Sequence, residues 1–207
     1  GSSLVGSEMC IRDSLKDYEG AIEDYTKALK INPNNEESLI NRADSKRILE
    51  DFEGAIEDYK KALEINPEYE DAYIFSGLCK YKIEEYIGSV EDYTKLIEIN
   101  PDAEDVFKNR GISRYELEDF DGSIEDFTTA ISKNPENHLN YFFRATSKNK
   151  LKDYEGALKD LSITVKLNPE SSLAFFDRAG TRSLLNDYTG AICLLYTSDA
   201  ADEVDGV

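Results

Sequence analysis

All five prolines of this 207-residue chain, Pro33, Pro67, Pro101, Pro135 and Pro169, lie 34 residues apart, and each follows an asparagine: Asn32, Asn66, Asn100, Asn134 and Asn168. A register of that length, kept without insertion, marks one supersecondary unit repeated in tandem. Such a unit cannot bury its apolar face alone and must stack on its neighbours to make a core. Proline also disfavours helical geometry in the residue before it, so each Asn-Pro pair is read as a helix stop.

With the proline counted as position 32, the remaining columns fall into a fixed order of large, small and turn residues. Position 4 is Leu39, Tyr73, Phe107, Tyr141 and Phe175, and position 8 is Ala43, Gly77, Gly111, Ala145 and Ala179. Position 17 is aromatic in every copy (Tyr18, Phe52, Tyr86, Phe120, Tyr154, Tyr188), and position 24 is Tyr25, Tyr59, Tyr93, Phe127 and Leu161. Small residues at positions 8 and 20 let two antiparallel helices approach, and the rings fill the space around the contact. Burying one such ring contributes roughly 1.5 to 3 kcal/mol. The first helix of each repeat is expected over positions 2 to 14, ending at Leu49, Ile83, Leu117 or Leu151. The second is opened by an acid at position 16, such as Asp51, Glu85, Asp119 or Asp153, which suits an N-terminal cap. The glycines at position 19 (Gly20, Gly54, Gly88, Gly122, Gly156, Gly190) are read as packing residues of the repeat rather than a nucleotide loop.

These columns resemble the tetratricopeptide repeat family. The resemblance implies an all-α, right-handed superhelical solenoid of antiparallel helix pairs. Four complete repeats are expected at 36–69, 70–103, 104–137 and 138–171. They are flanked by the second helix of a partial repeat at 15–35 and the first helix of another at 172–192. Residues 1–14 and 193–207 break the pattern. Leu4 to Asp13, LVGSEMCIRD, resembles translated transposase-type sequencing adapter, and Cys193 to Asp202, CLLYTSDAAD, resembles translation of the opposite adapter. The native segment is then expected to be a fragment, Ser14 to Ile192, with Gly1 and Ser2 a cloning scar. On that reading Cys10 and Cys193 form no disulfide or metal site, and Cys79 is the remaining thiol. Leu194, Leu195 and Tyr196 are expected to imitate part of a second helix, and end-to-end self-association would be an artefact of truncation.

Function is sought on the first helices, because the resemblance implies that their positions 2, 5, 6, 9, 12 and 13 line a concave groove. The candidates there are Ile40, Asn41, Ile74, Phe75, Leu78, Tyr81, Lys108, Asn109, Ile112, Tyr115, Phe142, Phe143, Asn149 and Phe176. A surface that keeps such rings near solvent beside amides has the composition of a contact site. The alternative is that several of the rings pack between adjacent first helices. Asn41 and Asn109 could hydrogen-bond the backbone of an extended peptide.

Other activities fit less well. Chaperone-binding members of the family hold a C-terminal carboxylate with Lys and Asn at positions 5 and 9 of one repeat and matching polar residues in the next two. Here Lys108 is paired with Ile112, Phe143 occupies position 6 of the following repeat, and Ile40 and Asp44 replace the set in repeat 2. A carboxylate clamp is therefore disfavoured. Arginine at position 7 (Arg42, Arg110, Arg144, Arg178) is accompanied by aspartate at position 23 (Asp24, Asp58, Asp92, Asp126, Asp160), which reads as a structural pair joining helices. Repeat 3 carries Ser76 and should lack it. A net charge of −19 disfavours nucleic acid and anionic lipid, and no 18-residue apolar stretch offers a membrane span. His138 is the only histidine, no metal spacing or phosphate loop is present, and neither catalysis nor a cofactor is expected. The leading expectation is a scaffold that binds a protein or peptide with hydrophobic or aromatic residues. The alternative is the regulatory or targeting arm of a larger enzyme or assembly.

Overall fold

The structure, a computed structural model, describes residues 2–186, with side chains from residue 17 onward. Among these residues the chain is helical throughout: α1 (Ser2–Ile31), α2 (Glu36–Ile48), α3 (Phe52–Ile65), α4 (Glu70–Lys82), α5 (Tyr86–Ile99), α6 (Glu104–Glu116), α7 (Phe120–Lys133), α8 (His138–Lys150), α9 (Tyr154–Leu167) and α10 (172–186). The positions expected for Leu194, Leu195 and Tyr196, like those of Cys193 and Gly190, lie outside the described residues. Two compact units divide the chain, Gly1–Leu117 and Glu118–Val207.

Each complete first helix occupies positions 1 to 13, one residue earlier than expected, with the apolar residue of position 14 as its C-cap. The turn that follows uses a device the sequence does not advertise. Position 15 is Glu50, Glu84, Glu118 or Lys152, and all four adopt the left-handed conformation, with φ between 60° and 63°. In repeat 2 the Glu50 N–H then donates to the Arg47 carbonyl and the Asp51 N–H to the Lys46 carbonyl, the paired bonds of a Schellman ending. Glycine usually fills that position, because a side chain there is disfavoured by roughly 1 to 2 kcal/mol.

The second helices open as expected in repeats 2, 4 and 5, where Asp51, Asp119 and Asp153 accept the backbone N–H of Gly54, Gly122 and Gly156. The glycines are thus cap partners rather than packing residues: a Cβ on Gly54 would sit 2.3 Å from the Asp51 carboxylate. Glu85 fills the same place in repeat 3 without a side-chain cap bond, and Asp17, the position 16 acid of the first partial repeat and expected to cap in the same way, lies inside α1. Helix α1 runs from Ser2, not from near Leu15; residues 2–16 contain no proline, and none of the described residues before Asp17 has a positive φ to turn the chain.

At the far end of each repeat the Asn-Pro step works on both sides. Asn66, Asn100 and Asn168 are C-caps outside the helical region, at φ of −130°, −131° and −130°. Their amides also reach back to position 1 of their own repeat: Asn66 Nδ2 donates to Glu36 at 2.9 Å and Asn100 Nδ2 to Glu70 at 2.9 Å. Each bond ties the end of a second helix to the start of its partner.

In the first unit, one core joins Leu39, Ala43, Ala55, Tyr59, Ala62, Ala72 and Cys79, and a second joins Tyr93, Leu96 and Val106. Gly77 is small for a visible reason, since a Cβ there would lie 2.9 Å from Cζ of Tyr93. In the second unit Ala145, Ala157 and Leu161 form the core with Phe142 against it. Serines replace alanine at some helix contacts without leaving an orphan group: the Ser89 and Ser113 hydroxyls meet at 2.9 Å in the first unit, as do Ser123 and Ser147 in the second.

Candidate functional site

In the first unit the candidate residues lie on α2, α4 and α6. Ile40 is drawn into the core at 8% exposure, packed among Leu39 and Ala43, because its helix face is shared with the buried position 4. Asn41 is half-buried, and with Glu36, Glu37 and Tyr69 it lines an open cleft of ≈ 410 Å³. Phe75 packs against the core, stacked on Tyr59 at 6.4 Å, and the Arg47 guanidinium lies over its ring at 4.3 Å. That arginine belongs to a small polar knot: the Tyr59 hydroxyl donates to Asp44 at 2.6 Å, and burial followed by that bond raises the phenol well above its ordinary value. Leu78 stands out at 36% exposure. Tyr81, one turn on, is half-buried, leans on Tyr86 at 5.5 Å and donates to Glu116 on α6. Ile74, Asn109, Ile112 and Tyr115 are half-buried, and Lys108 is held by a short ion pair with Asp105.

In the second unit Phe143 stacks on Phe127 at 5.6 Å and meets Phe142 edge-on at the same distance. Both rings are half-buried, so they support the helix pair as well as facing outward. Asn149 Nδ2 donates to Thr181 at 2.8 Å, while its Oδ1 is buried without a partner. Phe176 is the most open of the candidates, at 76% exposure.

The expected arginine pairs form with two-point geometry. Arg42 donates to both oxygens of Asp58, at 2.8 and 2.6 Å, and Arg144 to both oxygens of Asp160, at 2.8 and 2.7 Å. Two further partners escaped sequence reasoning. The third contact of each arginine goes to a threonine at position 25 of the preceding repeat: Arg42 to Thr26 at 3.0 Å, Arg144 to Thr128 at 3.1 Å, and Arg110 to Thr94 at 3.1 Å. A lysine at position 11 completes the aspartate's shell, Lys46 at 2.8 Å from Asp58 and Lys148 at 2.8 Å from Asp160. The lysine recurrence at position 11 is present in the sequence and would have been the signal. Burial alone would push the Asp58 carboxyl up, but Arg42 and Lys46 outweigh it and hold it below its ordinary value.

Groups able to do chemistry are otherwise occupied by the repeat. His138 stands at position 1, and its Nε2 lies 3.3 Å from Asn168 Nδ2, the place taken by Glu36 and Glu70 in their repeats. Burial pushes the Cys79 thiol up to about 11, which leaves it a small core side chain rather than a nucleophile. Among the described residues no group of three His, Cys, Asp or Glu is placed to hold a metal, and no helix is long and apolar enough to cross a membrane.

Comparison with known proteins agrees with this architecture. The tetratricopeptide repeat family model matches residues 10–35 and 36–69. No curated protein sequence matches the chain. Among solved structures, MamA superposes with a TM-score of 0.72 at 22% identity, over 78% of this chain and 94% of that one. YrrB, described as a TPR protein with an unusual peptide-binding site, gives 0.74 at 18% identity over 82% and 87%. The first TPR of Spaghetti (RPAP3), bound to the HSP90 peptide SRMEEVD, gives 0.55 at 21% identity over 56% and 93%. Residues 10–69 thus carry tetratricopeptide repeats by the family model, and the chain shares the fold of the solved TPR structures.

Proposed function

We propose that the chain is an interaction scaffold that takes a peptide or protein segment against the outward face of its first helices. The observation that carries this reading is Leu78, an exposed aliphatic side chain flanked on α4 by the half-buried Ile74, Phe75 and Tyr81. Apolar side chains grouped in the open beside polar rims mark contact surfaces, and partly buried aromatics are pre-ordered for contact at low entropic cost. Phe142 and Phe176 offer the corresponding surface on the second unit. The partner is expected to contribute hydrophobic or aromatic residues. A carboxylate clamp of the kind used for chaperone tails remains disfavoured, because Lys108 is paired with Asp105 and its position 9 neighbour is Ile112.

The experiment must avoid residues that also hold the fold. Phe143 is unsuitable, since its removal would strip the stacking partner of Phe127. Leu78→Asp is suitable because the side chain reaches solvent. Peptides selected by display on the full chain are measured by fluorescence anisotropy against wild type and this variant, with circular dichroism as the control for folding. A loss of roughly tenfold or more is expected for a contact worth about 1.4 kcal/mol. Unchanged affinity with intact helicity would remove the assignment.

A further inference from the structure

Repeat 3 lacks the position 7 arginine, and a cleft of ≈ 550 Å³ lies where that side chain would have been anchored. Its lining includes Lys60 and Glu64 from α3, Ser76 and Lys80 from α4, and Glu91 and Asp92 from α5. Asp92 is the counterpart of Asp58 and Asp160. It is buried, at 9% exposure, yet it keeps only the lysine of the usual pair of cations. The Lys80 ammonium lies 2.8 Å from its Oδ2 and the Ser76 hydroxyl also reaches the carboxyl, but no guanidinium bridges its two oxygens as Arg42 does those of Asp58. The threonine that receives the arginine's third contact is also replaced: position 25 of the preceding repeat is Lys60, not Thr26, Thr94 or Thr128. The ring that flanks the guanidinium in other repeats, Phe107 beside Arg110 and Tyr141 beside Arg144, has its counterpart in Tyr73.

The cleft is therefore chemically specific. A guanidinium occupies the equivalent position in repeats 2 and 5, held by two parallel bonds to the aspartate, a geometry that ammonium cannot reproduce. Carboxylates outnumber ammoniums around the cleft, four to two, so a cationic occupant is favoured electrostatically. On the helical wheel of α4, Ser76 and Lys80 lie opposite Ile74, Phe75, Leu78 and Tyr81. This surface is accordingly separate from the first-helix face, and either assignment can fail alone.

We propose that the cleft between α3, α4 and α5 binds a guanidinium group supplied in trans, an arginine side chain of a partner protein taking the place that Arg42 and Arg144 fill in their own repeats. The probe is N-acetyl-arginine amide, titrated into the isotope-labelled full chain while backbone amide signals are followed, with N-acetyl-lysine amide as comparator. Saturable shifts at Ser76, Lys80 and Asp92 are expected with the arginine probe, and binding weaker by about tenfold with the lysine probe. Ser76→Arg, which fills the cleft from within, should abolish the shifts while leaving the chain folded. Asp92→Asn should abolish them too, and Lys60→Thr, which restores the third acceptor, should tighten binding. Shifts that persist in Ser76→Arg, equal binding of the two probes, or no saturable change at these residues would each overturn the proposal.

Discussion

Repeats 2 and 3 carry the same buried aspartate in two different settings. Asp58 is 1% exposed and receives two parallel bonds from Arg42 with Lys46 beside it; Asp92 is 9% exposed and has Lys80 and the Ser76 hydroxyl. The consequences run in opposite directions. In repeat 2 the cations outweigh burial and the carboxyl is held below its ordinary value. In repeat 3 burial dominates, Lys80 and Ser76 offset it only in part, and the carboxyl is raised. The lesson concerns what the arginine does: a single ammonium neutralises charge, whereas a bidentate guanidinium also supplies the directed bonds a desolvated carboxylate needs.

Exchanging the two settings tests this directly. Arg42→Ser makes repeat 2 resemble repeat 3, leaving a buried carboxylate short of its main partner, and should lower the unfolding free energy by about 3 kcal/mol in urea denaturation. The converse change, Ser76→Arg, should raise it by about 1 kcal/mol, because new charge-assisted bonds form but a solvated cleft is closed. Equal and small effects of both would mean that the lysines at position 11 suffice.

Acidification sharpens the contrast because the signs differ. Asp58 contributes stability that is present above its unfolded value and is lost as the pH falls through the lowered folded value. For Asp92 the folded value is the higher one, so its ionisation disfavours the folded state. Stability falls as the pH rises from the ordinary value near 3.8 through the raised one. The advantage of Ser76→Arg over wild type should thus be greatest at neutral pH and shrink as Asp92 is protonated, read from urea midpoints at a series of pH values. A difference that does not vary with pH would contradict it.

The smallest effect serves as the control. Glu50 and Glu84 hold the same left-handed turn, at φ of 62° and 63°, in the two repeats that otherwise differ. Replacing either by glycine should stabilise the chain by about 0.5 kcal/mol, the relief of backbone strain less the entropy glycine adds to the unfolded chain. The two increments should match, since the turn does not depend on the arginine; thermal melts of the paired variants decide it.

What was legible in the sequence was whatever one repeat settles within itself. The Asn-Pro stops, the Asp51, Asp119 and Asp153 caps, the small residues at position 8 and the Arg42–Asp58 pair all follow from a column and its local chemistry. The left-handed turn was not legible because glutamate or lysine, not glycine, occupies it, and the stacked repeat structure imposes the conformation. The depth of the candidate residues was hidden for a related reason. Phe75 and Ile40 share register rules with Leu78, but Tyr59 and Arg47 contact Phe75 and the core takes Ile40, while Leu78 remains open. Those contacts depend on which side chain the neighbouring helix sends, and a column read alone does not contain it.

Whether the first-helix face is where a partner sits can be read from hydrogen exchange of the full chain with and without a display-selected peptide. Because the candidate residues of the first unit lie on α2, α4 and α6, bound peptide should slow exchange at these helices, most strongly around Leu78 and Tyr81, and leave α3 and α5 unchanged. Slowing confined to α3 and α5, with α4 and α6 unaffected at Leu78, Tyr81 and Ile112, would contradict the account.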